Sequence, residues 1–137
     1  MIPDPHRQRQ AKSGFHSITA VDGRTFFIDE DGVILGRERW SAPRNPPSEA
    51  DIADVVRWIQ ARGITCRKSP SVFSYSLKHA AERWIGRHVS NGAAIVALDR
   101  CGFSQVIDGK NTWAGIALRS YRSLPEVSGW QFSEVMQ

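Results

Sequence analysis

The side chains of this chain that could take part in chemistry are few. His79 and Glu82 lie three residues apart in a predicted helix, a spacing that would place two metal ligands on one face, with His88 or His16 as a third. No H-E-x-x-H or C-x-x-C motif accompanies them. The favoured interpretation is therefore a polar helix face or a His–Glu hydrogen bond.

The two cysteines, Cys66 and Cys101, are too far apart in the chain for a C-x-x-C clip. We expect reduced thiols, with Cys101 packed late in a helix rather than acting as a nucleophile. The acidic run Asp29–Gly32 lacks the further spaced ligands of a calcium-binding loop, and there is no glycine-rich phosphate loop. The sequence therefore predicts a protein that is not an enzyme and that needs no cofactor or metal.

Length and charge narrow the class of protein further. The chain has 137 residues, 41% of them hydrophobic, which suits one compact domain with a modest core. The formal charge of +4 favours acidic partners, nucleic acid among them. No apolar run is long enough to span a bilayer, and residues 1–14 lack the apolar core of a secretory signal. We therefore expect a cytoplasmic protein that does not enter the membrane.

The chain divides into successive segments that differ in composition and in predicted secondary structure. Residues 1–14 predict a mobile basic arm, and residues 15–40 an antiparallel β-meander with turns at Asp22-Gly23 and Asp29–Gly32. A proline-rich linker covers residues 41–47, a mixed helical and strand unit covers 48–118, and a tail covers 119–137.

Three helices are predicted in the central unit. The first begins at Ser48, carries its apolar stripe on Ile52, Val55, Val56 and Ile59, and ends at Gly63. The second runs from Val72 or Ser74 to Gly86, with buried positions at Leu77, Ala80, Ala81, Trp84 and Ile85. The third runs from Asn91 to Cys101, capped by Ser90 or Asn91. A hairpin follows, with strands Phe103–Ile107 and Thr112–Leu118 joined by the turn Asp108–Asn111.

The order helix, short strand, helix, turn, helix, strand, wing, strand over residues 48–118 resembles the winged helix-turn-helix superfamily. Within it, Val89–Phe103 resembles the turn and recognition helix of winged-helix DNA-binding proteins. The resemblance implies an α+β fold in which a small N-terminal β-meander precedes a winged-helix-like unit of three helices and a β-hairpin.

That resemblance also implies binding residues for double-stranded DNA. The third helix would enter the major groove by its N-terminal half and read bases with Ser90, Asn91 and Arg100. The implied phosphate contacts are Lys78, Arg83, Arg87 and His88, and those at the wing tip are Lys110 and Asn111. The basic side chains could equally form a solvated helix face. The predicted exposed face of the helix, Gly92, Ala93, Ala94 and Ala97, carries no base-reading side chain, which suits a protein partner as well as DNA.

A second resemblance concerns the string Ser74-Tyr75-Ser76-Leu77-Lys78-His79, with Glu82 and Val89–Gly92, which looks like small proteins of phages and integrative elements. It implies a mobile-element setting. Two functions follow as expectations. The first is a small non-enzymatic DNA-binding protein, a transcriptional regulator of a phage or mobile element. The alternative is a protein-binding inhibitor of a nucleic-acid-handling host defence complex, comparable to anti-CRISPR proteins. A homodimer contact through the third helix is an alternative use of that face, and the N-terminal sheet could serve as a dimerisation or docking extension.

Overall fold

Five helices and two small antiparallel sheets make up residues 15–36 and 43–129, the part of the chain that the computed structural model describes. The predicted α+β class and the N-terminal meander are confirmed. The strands are β1 His16–Thr19, β2 Thr25–Asp29, β3 Gly32–Val33, β4 Val72–Phe73, β5 Gln105–Asp108 and β6 Asn111–Ala114. The helices are α1 Glu49–Ala61, α2 Ser74–Ile85, α3 Asn91–Arg100, α4 Leu118–Arg122 and α5 Pro125–Ser128.

The N-terminal sheet buries one face of its strands. Ile18 pairs with Phe26, and Ile28 pairs with Val33, and all four side chains are buried. The β2–β3 turn depends on Gly32, whose φ of +133° is a conformation that other residues avoid. The predicted meander and its second turn are thus present, with β3 shortened to two residues.

Helix α1 forms for the reasons that its sequence suggests. The Ser48 hydroxyl accepts a hydrogen bond from the Asp51 amide at 3.1 Å, which satisfies one of the free amides of the first turn. Ile52, Val55 and Ile59 are buried along one stripe. Gly63 follows the C-cap with a φ of +61°, as predicted for a helix end. Trp58 is fully buried and adds the largest side chain of the core.

Helices α2 and α3 contact each other, and the five residues 86–90 join them, one more than the predicted turn. Gly86 ends α2 with a φ of +86°, and the Ser90 hydroxyl caps α3 by accepting from the Ala93 amide at 3.1 Å. The prediction that Trp84 is buried is wrong, because its side chain lies near the end of α2 and is 40% exposed.

The second sheet has the strand order β4-β6-β5, with β6 in the middle. The β5–β6 hairpin closes on the two-residue turn Gly109-Lys110, and Gly109 has a φ of +60°. Beyond β6, where the sequence predicts a tail, the chain forms α4 and α5.

Helix α3 lies at the centre of the fold. Its eight residues from Asn91 to Leu98 are all buried, because α1 and α2, the N-terminal sheet and β6 contact it. The prediction that Gly92, Ala93, Ala94 and Ala97 form an exposed face is therefore wrong. The small side chains instead let neighbouring elements approach the helix closely.

Some predictions lie outside the described residues. These concern the basic arm 1–14, the end of the meander segment with the start of the linker at 37–42, and the end of the tail at 130–137. Within the described ranges, no helix is long and apolar enough to cross a membrane.

Candidate functional site

The β2–β3 turn occupies the N-terminus of α3, where the winged-helix resemblance places a DNA groove. The Gly92 amide donates to the Glu30 carbonyl at 2.9 Å, and the Asn91 side-chain amide donates to the Asp31 carbonyl at 3.0 Å. A Cβ atom on Gly92 would lie 2.0 Å from the Asp29 carbonyl oxygen, so only glycine fits at this approach. The chain's own acidic turn therefore satisfies the free amide that would otherwise attract an anion.

The three residues predicted to read bases have other roles. Ser90 caps α3, and Asn91 is 7% exposed, its side-chain amide also donating to the Asn111 carbonyl oxygen Oδ1 at 2.9 Å. Arg100 donates two hydrogen bonds, of 3.0 and 2.8 Å, to the two carboxylate oxygens of Glu49 on α1. The hydrogen bond from Arg100 holds the pKa of Glu49 below its ordinary value. In this conformation the predicted base contacts are contacts within the fold.

Glu82 organises a second group of predicted residues. Its carboxylate accepts from the Lys78 ammonium at 3.0 Å and from the Val89 amide at 3.0 Å, and it contacts Nδ1 of His79 at 2.9 Å and Nδ1 of His88 at 2.7 Å. Burial by itself raises the pKa of Glu82, but hydrogen bonds from Lys78, the Val89 amide and His79 outweigh it and lower that pKa. The predicted His–Glu hydrogen bond is confirmed.

The same cluster lines a shallow depression of about 340 Å³ formed by His79, Glu82, Arg83, Arg87 and His88. Glu82 fixes both imidazoles by their Nδ1 atoms, as carboxylates do for metal-binding histidines. Within the described residues, however, no three His, Cys, Asp or Glu side chains are arranged to hold a metal ion. The cluster serves to join α2 to the α2–α3 turn.

The two arginines beside this depression are also tied to neighbouring elements. The Arg87 guanidinium contacts Asp51 at 2.5 Å and Asp54, both on α1. Arg83 donates to the Glu126 carbonyl on α5 at 2.8 Å. These contacts fix the turn and the C-terminal helices against α1 and α2, and they reduce the positive charge available to a phosphate.

At the wing tip the two predicted contacts differ in exposure. Lys110 lies 3.5 Å from Asp31, and both side chains are 68% exposed, so this pair is weak and open to solvent. Asn111 is partly buried, and its Oδ1 accepts from Asn91 and lies 3.3 Å from the Ser74 hydroxyl. The structure thus gathers most of the predicted residues into two networks, one around Glu82 and one between the β2–β3 turn and the β5–β6 turn. Arg100 lies outside both and is hydrogen-bonded to Glu49.

The second sheet carries an exposed apolar row that was not predicted from the sequence. Trp113 pairs with Phe73 on one side and with Val106 on the other, so these three side chains share one face, which we term the outer sheet face. Trp113 is 38% exposed, and the other two are partly exposed. On the opposite face of the same strands, Val72, Gln105 and Ala114 are buried. The alternation of Thr112, Trp113 and Ala114 is the signal that could have placed Trp113 outside the core.

The outer sheet face is held in a fixed arrangement. The Trp113 indole N–H donates to the Asp108 carboxylate at 2.8 Å, and its ring lies 4.8 Å from that of Phe73 at an interplanar angle of 51°. Tyr75, two residues after Phe73, is 49% exposed, and its ring meets the His79 ring edge-on at 4.5 Å. A solvated sheet face normally carries polar side chains, so this aromatic surface is a candidate for binding a partner.

Neither a protein-family model, a curated protein nor a solved structure matches this chain.

Proposed function

We propose that this protein is a non-enzymatic module that binds another protein through the outer sheet face. The observation that carries the proposal is the exposed Trp113, placed between Phe73 and Val106 and oriented by Asp108. Tryptophan and tyrosine dominate the binding energy of protein interfaces, and a side chain that is already oriented loses little entropy on binding. Tyr75 extends the surface towards α2.

Charge favours a protein over nucleic acid at this surface. Affinity for DNA comes largely from cations that neutralise phosphates. Among the predicted contacts, Lys78, Arg87, Arg100 and Lys110 each lie beside a carboxylate of the chain itself. The Asp108 carboxylate lies beside the outer sheet face, where it repels a phosphate backbone but can accept a hydrogen bond from a protein partner.

The second resemblance of the sequence, to proteins of phages and integrative elements, supports a choice of partner. In that setting a protein that binds proteins and has no catalytic groups fits an inhibitor of a host defence complex. We therefore take the components of such nucleic-acid-handling complexes as the partners to test first.

The test compares two tryptophans of similar exposure. Trp113 and Trp84 are 38% and 40% exposed, but only Trp113 belongs to the outer sheet face. The full chain, Trp113→Ala and Trp84→Ala are immobilised and exposed to a nuclease-treated extract of the cells that contain the protein. A captured protein is then purified and titrated against all three by calorimetry. We expect Trp113→Ala to weaken binding about 30-fold or more, since loss of a hot-spot side chain exceeds about 2 kcal/mol. Trp84→Ala should bind as the unaltered chain does.

If the unaltered chain and Trp113→Ala bound every captured protein with equal affinity, binding through the outer sheet face would be contradicted. Circular dichroism of each variant shows whether the fold is kept. The partly exposed position of Trp113 makes a large loss of stability unexpected.

Duplex DNA is the second candidate partner, and one observation favours it. Arg67, Lys68, Arg119 and Arg122 are exposed and form no ion pair with another described residue. Fluorescence anisotropy of a labelled duplex at low ionic strength tests it directly. Binding that weakens steeply with added salt, and that is lost in Arg67→Ala with Lys68→Ala, would favour DNA over protein. We expect no saturable binding.

A further inference from the structure

An open groove of about 590 Å³ on this protein contains both of its cysteines. Its walls come from α1, from the stretch that follows α1, and from the end of α3, through Val56, Ile59, Gly63, Cys66, Cys101 and Phe103. The groove is separate from the outer sheet face and from the cluster around Glu82. The proposed function does not use its two thiols.

The two cysteines reach the groove from elements that are distant in sequence. Cys66 is exposed and lies opposite Ile116 in a β-bridge beside the second sheet. Its Sγ atom lies 3.8 Å from the carbonyl oxygen of Gly102, the residue that directly follows Cys101. Cys101 is the C-cap of α3 and is partly exposed. The fold therefore brings the Cys66 thiol against the turn that carries Cys101.

The surroundings of the two thiols differ. Burial, and then the nearby Cys66, raises the pKa of Cys101, so its thiolate is scarce at neutral pH. Cys66 is exposed and Cys101 only partly so, which means that a small reagent reaches the Cys66 thiol first. An accessible attacking thiol beside a second, less accessible thiol is the arrangement in which a mixed disulfide is resolved within one chain.

We propose that Cys66 and Cys101 form a thiol–disulfide exchange site for small disulfides such as oxidised glutathione. The Cys66 thiolate attacks one sulfur of the small disulfide, forms a mixed disulfide and releases one thiolate. The Cys101 thiolate then attacks the Cys66 sulfur, and the second small thiolate leaves. The two protons lost by the cysteines pass to the two released thiols, so the protein is oxidised by two electrons and the small disulfide is reduced. The product is a bond that joins the end of α3 to the stretch before β4 across the groove.

The test is an equilibrium between the full chain and glutathione buffers of graded redox ratio, both under native conditions and in concentrated urea. Mass spectrometry of acid-quenched samples then measures the mass of each protein species. Under native conditions we expect a monomer that lacks two hydrogens, with no glutathione attached. Because the folded chain keeps both cysteines in one groove, half-oxidation should need a less oxidising buffer than in urea. The expected difference is about tenfold in the equilibrium constant, which equals about 30 mV.

Two single variants check the order of the steps. Cys101→Ser should stop at a mixed disulfide on Cys66, whereas Cys66→Ser should react more slowly because Cys101 is partly buried. Three results would overturn the proposal: a native chain that needs the same or a more oxidising buffer than the unfolded chain, one that accumulates glutathione adducts, or one that forms linked dimers. Each would mean that the fold does not bring the two sulfurs together.

Discussion

Replacing Gly92 with alanine tests the placement of the N-terminal sheet on α3. In most helices this change stabilises a protein by about 1 kcal/mol, because alanine has the higher helix propensity. Here the new Cβ would lie 2.0 Å from the Asp29 carbonyl oxygen, so the β2–β3 turn must move away. That movement would stretch the hydrogen bonds from the Gly92 amide to Glu30 and from Asn91 to Asp31.

The expected change in the free energy of unfolding combines the steric, hydrogen-bond and helix-propensity contributions. Overpacking a tight contact costs about 1–3 kcal/mol. Weakening two hydrogen bonds adds about 2 kcal/mol, and the helix propensity returns about 1 kcal/mol. We therefore expect Gly92→Ala to lower the free energy of unfolding by about 2–4 kcal/mol, opposite in sign to the usual helical substitution.

Urea unfolding followed by circular dichroism measures this difference, provided that the transition is two-state. Gln60→Ala, at an exposed position near the end of α1, is the control and should change stability by less than about 0.5 kcal/mol. A Gly92→Ala variant as stable as the unaltered chain, or more stable, would refute the reasoning. The N-terminus of α3 would then be free of the acidic turn, and the argument against DNA reading by this helix would fail.

Three further predictions concern the networks and the outer sheet face. Glu82→Gln should destabilise the protein by about 2–4 kcal/mol at pH 7, because it leaves the buried Lys78 ammonium without its carboxylate. Because the folded-state pKa of Glu82 is lowered, this loss of stability should be complete above the ordinary pKa of 4.5 and should shrink as the pH falls through the folded-state pKa. Urea unfolding across a pH series measures it, and a stability difference that stayed constant with pH would contradict the prediction. Asn91→Ala should cost about 1–3 kcal/mol in the same assay, since the carbonyl oxygens of Asp31 and Asn111 lose a buried donor; a neutral effect would mean that water replaces the amide. Trp58→Ala should cost about 3–5 kcal/mol and Trp113→Ala far less, because only Trp58 is fully buried, and comparable losses would show that the outer sheet face contributes to the core.

Most elements of the fold are predictable from local sequence. Ser48, Gly63, Gly86 and Ser90 mark helix ends by their own chemistry, whatever packs around the helix. The turn glycines Gly23, Gly32 and Gly109 have positive φ, as glycine allows. The spacing of apolar side chains in α1 likewise identifies its buried face, because residues three and four apart lie on the same side of a helix.

The candidate site was less predictable because exposure depends on what packs against an element. Lys78 and Arg87 look like solvated cations in the sequence, yet they meet carboxylates at positions 82, 51 and 54. Trp113 looks like a core residue, yet its pairing with Phe73 and Val106 turns it outward. Composition cannot distinguish these cases, since the same side chain serves either purpose.

Local sequence is enough to place the order and the ends of the helices and strands, because capping, turn conformation and apolar periodicity act within a few residues. The central position of α3 depends on packing between distant segments of the chain. A helix of small side chains can face either a ligand or a neighbouring strand, and Gly92 meets the backbone of the β2–β3 turn only because the N-terminal sheet folds back onto it. That long-range contact has no local signature, and it buries the side chains of α3 from Asn91 to Leu98.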